Sequence, residues 1–187
     1  MRMTPTSKST EPVMDAMTGA TQTGQFVTLG IESEIFAVPV ETVVEILDRQ
    51  SVFRIPEAPS YLVGLIDVRG RSVPLIDLRL KLGLPAAAAT ENTRILVLEV
   101  MVAGKVIVLG LIADRVFEVM ALGYDQIEAP PDIGVPWRSE YIRGIGRRGS
   151  SFVVIFDLPK LFSTDAGVLL RSSPMGDSPS AIDLAAV

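Results

Sequence analysis

Tyr61-Leu62-Val63-Gly64-Leu65-Ile66-Asp67-Val68-Arg69-Gly70, followed by Val73-Pro74-Leu75-Ile76-Asp77-Leu78, is the stretch that decides the fold. A Tyr-x-x-Gly turn leads into an apolar strand, and Asp77-Leu78 then opens a short helix. The same arrangement returns at identical spacing as Tyr141, Gly144, Val153, Asp157 and Leu158. Upstream of each copy, Val43-Val44-Glu45-Ile46-Leu47 resembles Val116-Phe117-Glu118-Val119-Met120. Self-similarity with Tyr, Gly and Asp in register implies two copies of one supersecondary unit. A copy of roughly 60–70 residues is near the lower limit for a self-sufficient core, so two lobes packed together are expected.

Asp77 and Asp157 occupy equivalent strand-to-helix junctions. A carboxylate there accepts hydrogen bonds from free helix N–H groups and suits the positive end of the helix dipole. Capping explains both residues more economically than a catalytic carboxylate pair.

Outward from these copies the chain keeps a strand grammar. Residues 26–29, 35–40, 72–78, 95–102, 106–112 and 152–156 are short β-rich runs. Pro39 and Pro74 within such runs predict edge strands or bulges, because proline cannot donate to a ladder. Short helices are expected over 78–82 and 158–162, and the apolar set Ala166–Leu170 is a weak signal for a terminal helix. Many short strands with frequent turns predict an all-β barrel or sandwich architecture. Residues 1–24 and 164–187 are rich in Ser, Thr, Pro and Gly, and are expected to be a disordered lead-in and a mobile tail around a folded body at 25–163.

Composition removes much chemistry. The chain has 187 residues with 48% hydrophobic and 21% charged content, enough to bury a core. It contains no Cys and no His, which excludes disulfides, thiolate or imidazole metal sites, and His-dependent triads. The four lysines are Lys8, Lys81, Lys105 and Lys160. No catalytic, metal or cofactor site is expected. A net charge of −5 disfavours electrostatic nucleic-acid binding, which needs cations. No apolar run approaches the roughly 20 residues of a membrane span, and the N-terminal segment lacks a signal-peptide core, so a cytoplasmic location is expected.

Gly144-Ile145-Gly146-Arg147-Arg148-Gly149 matches G-x-G-x-x-G literally. The dinucleotide reading needs a helix to follow; here Phe152–Phe156 is a strand, so a hairpin turn is expected. Arg143, Arg147 and Arg148 read as a solvated basic turn, since no aromatic platform is interleaved in sequence. Glu45 stands among apolar neighbours, and Arg69 stands between Val68 and Gly70. Each lies either on a polar strand face or in a pair across a groove, and the residues alone leave both open.

The series from Arg54 through Pro56, Pro59, Tyr61, Gly64, Arg69-Gly70 and Pro74 to Asp77-Leu78-Arg79 resembles the CheW family of bacterial chemotaxis adaptors. The resemblance runs through residues 107–120, 127–131 and 140–161, and so covers almost all of 25–163. One departure is Asp67, where the family usually has Asn; Asp tolerates similar turn conformations. The resemblance implies two five-stranded SH3-like β-barrel lobes with a few short helices, and no catalytic activity. It also implies two partners, the cytoplasmic tip of a chemoreceptor and the regulatory domain of a CheA-type histidine kinase. Carried over residue by residue, it places Val43, Glu45, Gly64, Arg69 and Ile95 at or near the receptor-binding groove, with Glu45 and Arg69 as a charged pair. It assigns no kinase-contact residues. Because the Gly144 copy lacks the Arg-Gly pair, one lobe is expected to carry the recognition surface while the other completes the groove. The alternatives are an adaptor of a non-flagellar chemosensory array, or a ligand- or nucleic-acid-binding β-barrel.

Overall fold

Alternating apolar runs close into ten strands in the computed structural model, which describes residues 22–130 and 139–172. They are β1 (Thr23–Ile31), β2 (Glu34–Pro39), β3 (Val43–Leu47), β4 (Leu62–Val68), β5 (Arg71–Asp77), β6 (Arg94–Val102), β7 (Lys105–Ala113), β8 (Arg115–Gly123), β9 (Ile142–Arg148) and β10 (Ser151–Phe156). Three short helices accompany them: α1 (Leu78–Lys81), α2 (Leu158–Leu161) and α3 (Ala166–Ser172).

The strands form two five-stranded sheets, each an SH3-like lobe. Lobe A has the order β8-β1-β2-β10-β9, and lobe B the order β3-β6-β7-β5-β4. The orders superimpose if β1–β5 is matched to β6–β10. The sequence repeat and the lobe therefore do not coincide. Lobe A takes β1 and β2 from the first copy and β8, β9 and β10 from the second; lobe B takes the complement. Two ladders join the copies at each lobe: one is parallel, β2 with β10 and β5 with β7, and the other antiparallel, β1 with β8 and β3 with β6; all ladders within a copy are antiparallel. This exchange relieves the small-core problem, because neither copy must fold alone.

Each lobe encloses a small cluster, Ile66, Val73, Leu75, Ile95 and Val97 in lobe B and Phe26, Leu122, Val153 and Ile155 in lobe A. The largest cluster lies between them, with Leu29, Phe36 and Val38 from lobe A against Leu96, Leu98 and Leu109 from lobe B. Phe36 and Phe156 stack there with ring centroids 4.9 Å apart.

The repeat is preserved at atomic detail. Asp77 N–H donates to Tyr61 O, and Asp157 N–H to Tyr141 O, both at 2.8 Å. Asp77 Oδ1 accepts from Arg79 and Leu80 N–H, and Asp157 Oδ1 accepts from Lys160 N–H, so both carboxylates cap their helices. The Gly144–Gly149 segment is β9 and the start of a hairpin turn, with Gly149 at φ 60°.

Two expectations change. Pro39 and Pro74 lie in interior strands, not at edges. Pro74 is tolerated because it faces Leu65, whose N–H and C=O both turn away to Phe53, and the β5–β7 ladder begins only at Leu75. The folded body also continues past Ser163. A 3₁₀ turn (Ser163–Asp165) and α3 follow, with Asp165 at 3% and Leu169 at 0% exposure. The expected lead-in over 1–21 and the tail beyond Ser172 lie outside the described residues; β1 begins at Thr23, inside the expected lead-in.

Candidate functional site

The chain crosses between lobes twice before the last hairpin, and each crossing opens an edge strand. The 3₁₀ turn Val40–Thr42 carries β2 into β3, with Thr42 Oγ1 donating to Pro39 O at 2.7 Å. Asp114 carries β7 into β8, its N–H donating to Gly30 O at 3.1 Å. Val43 and Val116 follow the crossings, and both pack against the inter-lobe cluster. Both strands then bulge, β3 between Val43 and Glu45 against β6, and β8 opposite Val27–Leu29 of β1. An extra residue on an edge strand re-aims its side chains.

Glu45 is brought to Arg69. Arg69 Nη2 donates to Glu45 Oε2 at 3.0 Å, with the Glu45 side chain 18% exposed and the Arg69 side chain 81% exposed. Arg69 and Gly70 form a two-residue hairpin loop with φ 54° and 80°, the left-handed pair that a type I′ turn requires. Asp67 Oδ1 accepts from Gly70 N–H at 2.7 Å, so Asp serves this turn. Since β3 and β4 are the two edges of lobe B, the ion pair bridges the sheet's open seam.

Lobe A repeats this device. Arg148, at the end of edge strand β9, meets Glu118 on edge strand β8 at 2.6 Å. The Arg148 and Arg115 guanidiniums also lie over the Phe117 ring, 5.4 and 5.7 Å from its centroid. A Glu–Arg pair across the sheet's open seam is therefore not peculiar to lobe B. Arg143 and Arg147 are exposed, as a solvated turn requires, yet each lies over a ring, Arg147 4.7 Å from Phe152 and Arg143 5.7 Å from Tyr124, while Arg148 is ion-paired. Folding supplied the aromatic partners that the local sequence lacks. The clue was the Val43–Leu47 and Val116–Met120 similarity, which already paired Glu45 with Glu118.

Beside each neutralised glutamate the edge strand exposes two apolar side chains. Val44 and Ile46 are 56% and 44% exposed on β3, and Phe117 and Val119 are 39% and 55% exposed on β8. They occupy equivalent repeat positions, one pair on the edge strand of each lobe. Sequence reasoning missed these four, as well as Met101 and Val106, a cross-strand pair at the rim of a cleft of about 470 Å³ between the lobes.

The remaining expected residues support the surface from beneath. Ile95 is 3% exposed inside lobe B, opposite Leu47. Gly64 has φ 152°, and a Cβ there would lie 2.2 Å from Phe53 O. The close approach it permits is by the chain's own Phe53 backbone, which bridges to Leu65 by two 2.8 Å hydrogen bonds. Val43 is half-buried at the junction. Among the described residues, no group of three or more Asp or Glu is placed to hold a metal ion, and no helix is long and apolar enough to cross a membrane.

Residues 25–166 match the CheW-like domain family model. The chain belongs to the CheW family. It is 31% identical over 140 residues to the chemotaxis protein CheW of Treponema pallidum, covering 75% of this chain and 82% of that protein. It is 30% identical over 154 residues to CheW of Klebsiella aerogenes, covering 82% and 90%. The scaffolding protein TtCheW of Thermoanaerobacter tengcongensis superimposes with a TM-score of 0.68 at 28% identity, covering 75% of this chain and 93% of that one. The chain is thus a chemotaxis scaffold of the CheW type.

Proposed function

We propose that this scaffold couples the cytoplasmic helical tip of a chemoreceptor to the regulatory domain of a CheA-type histidine kinase, in the cytoplasm and without catalysis of its own. The observation that carries the receptor half is the paired edge, with Val44 and Ile46 on β3 and Phe117 and Val119 on β8, each pair beside a neutralised glutamate. Apolar side chains on the edge strands of both lobes suit the apolar face of a helix, the helix-in-groove mode. The ion pairs keep Glu45 and Glu118 from opposing that face as lone charges, and they fix register more than they add affinity.

Magnitudes set the mode of binding. Four half-exposed apolar side chains supply about 1 kcal/mol each on burial, or about 4 kcal/mol together. That corresponds to roughly millimolar binding before ordering costs. Useful occupancy therefore needs several contacts acting together, as on a scaffold that holds a receptor and a kinase at once.

The test is assembly from purified protein, a CheA-type kinase and a receptor signalling fragment. Joining both partners supports the reading; failure to join either contradicts it. A flagellar and a non-flagellar array are separated by which receptor fragment assembles.

A further inference from the structure

Helix α1 has only four residues, yet both of its cations reach out of lobe B. Arg79 Nη2 donates to Glu32 Oε1 in the β1–β2 turn of lobe A at 2.6 Å. Its Nη1 donates to Asp114 Oδ2, at the crossing between lobes, at 2.8 Å. The same Asp114 oxygen accepts from Glu32 N–H at 2.7 Å, so one carboxylate fixes both sides. Lys81, two residues on, donates to Asp165 Oδ2 on the segment that continues from lobe A through α2. Asp165 Oδ1 accepts from Tyr61 O–H at 2.5 Å, and the Lys81 ammonium lies 4.6 Å from the Tyr61 ring centroid.

These contacts differ from the exposed ion pairs on β3 and β8. The Lys81 and Asp165 side chains are 6% and 4% exposed, and the Arg79 side chain is 12% exposed. A charge buried to that degree is tolerated only while its partner stays in place, so the arrangement has one low-energy geometry. Leu169 of α3 sits in the inter-lobe cluster at 0% exposure, which pins the far end of the segment. The equivalent helix α2 does not duplicate the device: Pro159 stands where Arg79 stands in α1, beside the open cleft at Met101 and Val106.

We propose that α1 is a two-pronged latch that sets the angle between the lobes, with Arg79 holding the β1–β2 turn and Lys81 holding the C-terminal segment through Asp165. Arg79, Lys81 and Asp165 are positioning residues. They touch neither β3 nor β8, but those strands belong to different lobes, so the latch sets the separation of their apolar edges. That consequence rests on the proposed receptor reading; the latch itself does not.

The absence of native cysteine permits a direct test. Spin labels are placed at Ser72→Cys in lobe B and Ser151→Cys in lobe A, both exposed hairpin positions. Their distance distribution is measured by pulsed electron resonance in the full chain, and in Asp165→Asn, Lys81→Met and Arg79→Met backgrounds. Amide exchange of β1, β2, β6 and β7 monitors the cores. The latch predicts one narrow distance in the unsubstituted background and a broadened or shifted one in each variant, with core protection retained. An unchanged distribution in folded variants overturns the latch. Loss of core protection together with the distance also overturns it, since the cluster would then serve global stability. If a third of molecules keep the competent angle, receptor-fragment affinity falls about threefold. Broadened distances with unchanged affinity would leave the latch standing and contradict the two-strand receptor site.

Discussion

Arg148 meets Glu118 at 2.6 Å on the seam of lobe A, as Arg69 meets Glu45 at 3.0 Å on the seam of lobe B. The two glutamates are the same position in the repeat, yet their arginines come from different positions of the β4–β5 and β9–β10 hairpins. Arg69 occupies the turn itself, whereas Arg148 is the last residue of β9. One electrostatic requirement at an edge strand is thus met by two local solutions.

Removing either arginine tests what the pairs do. Both pairs include an exposed arginine, so Arg69→Ala and Arg148→Ala each cost less than about 1 kcal/mol of stability. Receptor-fragment binding weakens more than stability in both. Circular dichroism melts and co-sedimentation, measured on the same samples, separate the two effects. Wild-type melts together with wild-type co-sedimentation would deny the pairs a part in recognition.

Gly64 and Gly70 make a contrasting pair. Gly64→Ala combines a strained φ with a Cβ 2.2 Å from a backbone oxygen, and neither yields cheaply. It should cost about 3 kcal/mol, or about 6–12 °C in Tm. Gly70→Ala meets nothing within 4 Å and carries only the left-handed φ, so it should cost about 1 kcal/mol. Chemical denaturation of the two variants checks the ranking, and equal losses would contradict it.

Asp77 accepts two N–H groups from the first turn of α1. Asp77→Ala should cost about 1 kcal/mol, and Asp77→Asn, which keeps an acceptor, much less. Thermal melts distinguish them. Equal losses for Asn and Ala would mean that the charge, and not the hydrogen-bond acceptor, is the main contribution.

Tyr61 gives an alkaline signature. Burial first, and then the hydrogen bond to Asp165, hold its phenol well above the ordinary value near 10. Above that pH the unfolded chain loses a proton that the folded chain keeps, so stability falls as pH rises. Tyr61→Phe should flatten this fall between pH 9 and 11 in denaturant titrations. Identical slopes in the two proteins would contradict the assignment.

The parts of the fold legible in the sequence are those that local chemistry dictates. Asp77 and Asp157 declared their caps, and the Phe152–Phe156 run declared Gly144–Gly149 a hairpin and not a nucleotide loop. The exchange of β3–β5 with β8–β10 was not legible, because periodicity marks strands without saying which copy they pair with. Ala166–Leu170 gave a weak helix signal, but what anchors the Ser163–Ser172 segment was hidden for a related reason. The partners of Asp165 are Tyr61 and Lys81, and only the fold brings them near. At the candidate site, Glu45 and Arg69 followed from the family resemblance, while Phe117, Val119 and Arg148 needed the lobe A edge to be assembled.

In the proposed function, β3 and β8 together form one receptor surface. The direct measurement is titration of a receptor signalling-helix fragment against the wild type, Ile46→Asp on β3 and Val119→Asp on β8, with CheA-type kinase binding followed in parallel. Each substitution should lower fragment affinity by about tenfold, roughly 1.4 kcal/mol, while kinase binding is retained. Wild-type fragment affinity in both folded variants, or in either one alone, would contradict it.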